Sequence, residues 1–119
     1  MIAELVKALL PTKWPVTIGD LPAPNIEAIG IIEYDGAAST EYFGPQDHSS
    51  IFQPIVKIVL RSQSYEQLKS WVESIKTTLH RYHDDTILSM LLVGAPLYLG
   101  RNEQKFHEFQ IVFNTTVKE

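Results

Sequence analysis

The stretch KFHEFQIVFNTTVK, Lys105 to Lys118, decides the fold. His107, Phe109, Ile111, Phe113, Thr115 and Val117 alternate with Phe106, Glu108, Gln110, Val112, Asn114 and Thr116. A period of two over this length is a β-strand, and the larger apolar set marks its buried face. GRNEQ, just before it, reads as a turn. Ahead of that lies TILSMLLVGAPLYLG, Thr86 to Gly100, apolar enough to be a central strand, with Gly94 and Pro96 marking a bend. The two segments together read as a hairpin.

Something must cover the buried face of that hairpin, and SYEQLKSWVESIKTTLH supplies a helix that packs one side onto something flat, most simply the sheet. Ser64 is placed to cap a helix and Gln67 to complete a capping box. Tyr65, Leu68, Val72, Ile75, Leu79 and Tyr82 then recur at three- and four-residue steps, widened by Trp71. Glu66, Lys69, Glu73 and Lys76 form the wet face at pairing distances. The stripe predicts a helix to Tyr82 that lies on the sheet. Its Leu68, Val72 and Ile75 should be buried against Phe109, Ile111 and Phe113.

Towards the N-terminus, NIEAIGIIEY and SIFQPIVKIVLR read as two strands with both faces partly covered. Ile26, Ala28, Ile32 and Tyr34 share one side of the first, with Ile29 and Ile31 on the other. Phe52, Val56, Ile58 and Leu60 face one way in the second, with Ile55 and Val59 opposite. Pro54 points to an edge or a bulge at its start. The chain opens on MIAELVKALLPTKW, with Ile2, Leu5, Val6, Leu9 and Leu10 at helical spacing and Pro11 as the stop. WPVTIGDLPAPN leaves room for at most a short edge strand around Val16 to Ile18. The expected fold is therefore α+β: a mainly antiparallel sheet of four to five strands flanked by two helices, in the order α-β-β-(β)-α-β-β. At 119 residues it makes one domain, 1–119.

Between the two N-terminal strands, DGAASTEYFGPQDHSS, Asp35 to Ser50, reads as a long polar loop. Loops of that length in compact domains are functional or disordered. Tyr42 and Phe43, side by side in it, either offer a contact surface or fold back on the domain. With Asp47 and His48 they form the candidate assembly interface.

Chemistry is harder to find. His80, His83 and Asp84 of LHRYHDDT would share a helix face, which makes a metal site geometrically conceivable. Asp84, Asp85 and Thr86 nevertheless suit a turn into the next strand, and His80 and Arg81 suit a helix C-terminus. The segment is read as a helix end and turn without a metal. Asp47, His48 and Ser49 are adjacent, and a catalytic relay needs convergent rather than neighbouring residues. No nucleophile elbow, phosphate loop or dinucleotide fingerprint accompanies them. The absence of cysteine removes thiolate sites and disulfides. A net charge of −4 with scattered Lys and Arg argues against a dedicated nucleic-acid binder. Glu4 and Lys7 interrupt the N-terminal apolar segment, so no signal peptide is read, and Met90 to Leu99 is too short to span a bilayer. The expectation is a soluble protein with no catalytic residue, cofactor or membrane contact. The rival expectation is a small enzyme or ligand-binding domain with a pocket between helix and sheet, for which His107 and Tyr34 are the polar candidates.

The C-terminal third, APLYLGRNEQKFHEFQIVFNTTV, resembles the end of a family of bacteriophage minor capsid proteins. IFQPIVKIVLR followed by SYEQLKSWVESIKTTLH extends the likeness over nearly the whole chain. In size and element order the chain is similar to tail terminators, also called tail completion or head–tail joining proteins. That resemblance implies a virion protein, made in the cytoplasm of a host bacterium. It implies a homo-oligomeric ring, commonly a hexamer, on the head-proximal end of a long tail. The implied partners are other copies of itself, the tail tube protein and the head connector, with DNA only passing through the lumen. It transfers no residue roles.

Overall fold

The computed structural model describes residues 2–21, 26–41 and 50–118, with the backbone alone for 35–41 and 50–51. Helix α1 covers Ile2–Leu9 and α2 covers Tyr65–Leu79. The strands are β1 (Val16–Ile18), β2 (Ala28–Glu41), β3 (Ser50–Ser62), β4 (Ile87–Leu92), β5 (Leu97–Arg101) and β6 (His107–Lys118). The sheet runs β1-β2-β3-β6-β4, and β5 pairs with β6 beside β4. Every pairing is antiparallel except β1 with β2. This is the expected α+β fold with two helices, and β1 is the short edge strand anticipated at Val16 to Ile18. Its radius of gyration, 15.6 Å, exceeds the ~13.5 Å of a compact chain of this length. Strands of twelve to fourteen residues at ~3.3 Å each account for that elongation.

Register explains the core. Ile29, Leu60 and Phe109 lie side by side across three strands, as do Ile31, Ile58 and Ile111, and then Glu33, Val56 and Phe113. All but Glu33 are buried, and α2 places Leu68, Val72, Ile75 and Leu79 over them. Ile2, Ala3, Val6 and Leu10 of the α1 segment join the same cluster, so both helices cover one face. Glu33, at the margin, accepts a hydrogen bond from the Ala3 N–H at 3.1 Å, which serves an orphan donor of the first turn of α1. Trp71 closes the side, its ring 5.7 Å from that of Trp14. The six core residues expected from α2 and β6 are all buried.

Four details differ from the sequence reading. Thr86 to Gly100 is not one central strand. It divides into β4 and β5, end to end along the outer edge of β6, giving six strands in place of four to five. Gly94 at φ 67° turns the chain between them, and Pro96 has no N–H to continue the ladder. The interior positions beside β6 are taken on the other side by β3. Second, Asp35 to Ser50 is shorter as a loop than it reads: β2 runs on to Glu41 and β3 begins at Ser50. Two register shifts, Tyr34/Ala37 and Ala37/Thr40, absorb the Gly and Ala residues there. Pro54 lies opposite this irregular stretch, and the Thr115 hydroxyl donates to its carbonyl at 2.7 Å. The four candidate interface residues Tyr42, Phe43, Asp47 and His48 lie outside the described residues.

The third difference is at the start of α2. The Ser64 hydroxyl accepts from the Gln67 N–H at 3.2 Å, as a cap should. The reciprocal half of the capping box is absent: Gln67 donates instead to Glu27 Oε1 at 2.6 Å, and the Ser64 N–H goes to the Ser62 hydroxyl. Glu27 also accepts from that hydroxyl, so one carboxylate ties β2, β3 and α2 together. The fourth is the end of α2, at Leu79 rather than Tyr82. Arg81 takes φ 67°, a left-handed residue just past the cap, and stops the helix there.

This packing carries a stability prediction. Phe113 is fully buried between sheet and helix; Phe113→Ala should cost roughly 3–5 kcal/mol in urea melts. Glu73→Ala, on the wet face of α2, should stay within about 0.5 kcal/mol of the parent. Equal losses from the two would mean that the register of β6 is wrong.

Candidate assembly surface

LHRYHDDT does a structural job at the edge of the sheet. Of the β4 backbone groups, those of Met90 and Leu92 point away from β6. The Arg81 N–H donates to the Met90 carbonyl at 2.7 Å, and His80 Nδ1 accepts from the Leu92 N–H at 3.1 Å. Asp84 folds the turn that follows. Its carboxylate accepts from the N–H groups of Thr86 (2.8 Å) and Ile87 (2.6 Å) and from the Tyr82 hydroxyl (2.9 Å). These bonds, the Ile87 N–H first, hold the Asp84 carboxyl below the usual aspartate range, and the bond to Asp84 raises the Tyr82 hydroxyl. His83 Nδ1 lies 3.4 Å from the Arg81 carbonyl. Among the described residues no three His, Asp or Glu side chains are grouped to hold a metal. The turn leading into a strand is as the sequence suggested.

With β4 occupied in this way, β5 is the exposed end of the edge. Among the described residues β5 pairs with β6 alone. It carries three large apolar side chains in succession, Leu97, Tyr98 and Leu99, at 55%, 41% and 47% exposure. Leu91 and Val93 continue the patch on the sheet face that carries no helix. Not one charged residue or histidine occurs between Thr86 and Gly100, in a chain that is 20% charged. Edge strands are normally blunted with Lys, Pro or charge because their unpaired backbone recruits other strands. Here Pro96 precedes the edge, a register shift falls between Tyr98 and Gly100 and Arg101 ends it, yet Leu97 to Leu99 are apolar on both faces. Exposed apolar patches of this kind mark interaction sites.

A half-exposed aromatic group stiffens it. Tyr98 packs on Phe109 (5.1 Å between centroids) and edge-on to Tyr65 (5.6 Å), and its hydroxyl shares a 2.7 Å hydrogen bond with His107 Nδ1. Lys69 Nζ sits 5.8 Å from the centre of the Tyr65 ring. His107 is thus a hydrogen-bonded histidine at the rim of the core. Tyr34, the other polar candidate for a pocket, lies on the opposite face beside Ile55. The two do not converge, and Leu68, Val72 and Ile75 fill the space between α2 and the sheet. The uncharged run from Thr86 to Gly100 reads in sequence as a central strand, whereas its second half is an exposed edge.

No protein-family model and no curated protein matches the sequence. Among solved structures, a chain from the virion of a native gene transfer agent particle is similar in fold. The TM-score is 0.53 over 97% of this chain and 85% of that one, at 10% identity. At that identity the likeness is one of fold.

The Asp84 turn predicts a pH dependence. The folded chain binds fewer protons than the unfolded one wherever a carboxyl titrates low in the native state. The contribution of Asp84 is therefore full above the unfolded value, ~3.9 for an ordinary aspartate, and is lost as pH falls through the lower folded value. Thermal melts should show the parent more stable than Asp84→Asn at neutral pH, with the gap closing below the ordinary aspartate range. A gap that does not change with pH would contradict this role.

Proposed function

We propose that this protein is a structural component of a phage virion, without catalytic activity. In this reading it is a tail terminator or tail completion protein that forms a ring at the head-proximal end of a long tail. The observation that carries it is β5: an edge strand that among the described residues pairs with β6 alone and exposes Leu97, Tyr98 and Leu99 within an uncharged run. A protein whose most developed surface is an apolar edge acts by being covered. The fold likeness to a gene transfer agent virion chain, nearly end to end, supports the same class. So does the resemblance of APLYLGRNEQKFHEFQIVFNTTV to phage minor capsid proteins.

The partners in this reading are further copies of the chain, six in a ring, with the tail tube on one side and the head connector on the other. The ring stops tube growth and presents a surface to the connector. DNA only passes through the lumen, and a net charge of −4 suits a channel that lets it slide. No helix among the described residues is long and apolar enough to cross a membrane.

The test replaces the protein in its own phage by Leu97→Lys/Leu99→Lys. Both side chains are exposed, so the purified variant should melt like the parent, within about 0.5 kcal/mol per site. The expected result is overlong or headless tails and loss of infectious particles, counted by electron microscopy. Normal particles would remove β5 from the account. Normal particles after deletion of the whole gene would remove the function.

A further inference from the structure

We infer that the β5 edge of one copy is covered by the β1 edge of the next, joining the sheets head to tail around the ring. This rests on the ring proposed above and specifies its contact. Four observations lead there. The sheet order puts β1 and β5 at opposite edges. Both edges are exposed and apolar, yet they differ from one another. A two-fold dimer through one of them leaves the other bare, whereas a head-to-tail contact covers both and closes into a ring when the rotation allows.

Strand direction is the second. β1 is parallel to β2, and β2-β3, β3-β6 and β6-β5 are each antiparallel. β1 and β5 therefore run in opposite senses within one copy. Rotation about an axis lying along the strands preserves those senses, so β5 meets the neighbouring β1 antiparallel, ready to form a ladder. The bonds from Pro15 and Gly19 to β2 leave the backbone of Ile18 turned outward.

Side-chain rows are the third. Thr17, Gly30, Val59, Gln110 and Leu97 occupy one row across the sheet on the face without helices. Val16, Ile29, Leu60, Phe109 and Tyr98 occupy the adjacent row on the helix face. Continuing the sheet brings Leu97 to the neighbour's Thr17 and Tyr98 to its Val16. Beside Val16 lies a groove of about 340 Å³ whose apolar walls are Ala8, Pro11 and Trp14, with Glu4, Lys7 and Thr12 also lining it; the proposed contact brings the aromatic edge of Tyr98 to its apolar side. Buried aromatic anchors of this kind dominate interface energies.

Charge is the fourth. Pro15 to Gly19 contains no charged residue, nor does Thr86 to Gly100. The two ladder segments therefore bring no ion of their own between the strands, where burying one would cost several kcal/mol.

The chain has no cysteine, so introduced thiols report contacts cleanly. Thr17→Cys, Leu97→Cys and the double variant would be treated with a short bismaleimide at concentrations where light scattering gives the mass of each sample. The double variant should give a ladder up to the full ring, a mixture of the two single variants only dimers, and each single variant alone no cross-link. Dimers from Leu97→Cys alone would replace the head-to-tail contact by a two-fold one and overturn the inference. An oligomer without cross-links would overturn this contact while leaving the ring reading intact. A monomeric mass at every concentration and in the presence of tail tubes, again without cross-links, would overturn the inference and self-association together.

Discussion

The structure depends on β6 being paired along both edges over its whole length. β3 takes one edge from Ile51 opposite Lys118 to Ser62 opposite His107, and β4 and β5 share the other. Because the ladder alternates, fixing this register sends Phe109, Ile111, Phe113 and Thr115 to the helix side together. A slip of one residue would place Glu108, Gln110 and Asn114 under α2 instead. Burial of that face also positions α2, whose Leu68, Val72 and Ile75 join the same core cluster. The same constraint makes the edge. One continuous strand beside β6 could have been straight and closed; the break at Gly94 and Pro96 leaves β5 displaced as a short strand of its own.

Most of this was legible in the sequence because it rests on periodicity. The period of two in β6 and the three-four spacing of α2 are local patterns that name their own buried faces, and both were read correctly. Position within the sheet is not a local property. ILSMLL and LYLGR read as apolar strands, and hydrophobic content alone does not distinguish a strand inside the sheet from one at its edge. The same limit applies to the capping box. Ser64 caps as its type predicts, yet Gln67 is drawn to Glu27, forty residues away in sequence. The polar stretch after Tyr34 was read as loop from composition, whereas cross-strand pairing with β3 extends it as strand to Glu41.

LHRYHDDT shows how structure reassigns a suggestive motif. Its histidine and aspartate side chains are spent on backbone groups: His80 on Leu92, Asp84 on Thr86 and Ile87. The effect is to satisfy the Met90 carbonyl and the Leu92 N–H on the outward side of β4, which leaves β5 as the more open part of that edge. In the proposed assembly, the turn narrows where a contact can form. On the other side of the sheet, Gly30 permits the chain after β1 to pass closely, since a Cβ there would meet the Gly19 carbonyl at 2.9 Å and the Leu21 side chain at 3.1 Å. The two ends of the sheet are thus each shaped by a local device, one closing an edge and one setting a strand in place.

The central claim is that the β5 edge is bare in the free protein and covered in the assembled particle. Hydrogen exchange reads this directly, because an amide that gains a ladder partner exchanges more slowly. Peptides spanning Leu97 to Arg101 should exchange fast in the free chain and become protected in the virion, while those of β6, already paired on both sides, change little. Equal exchange of the β5 peptides in the two states would contradict the account.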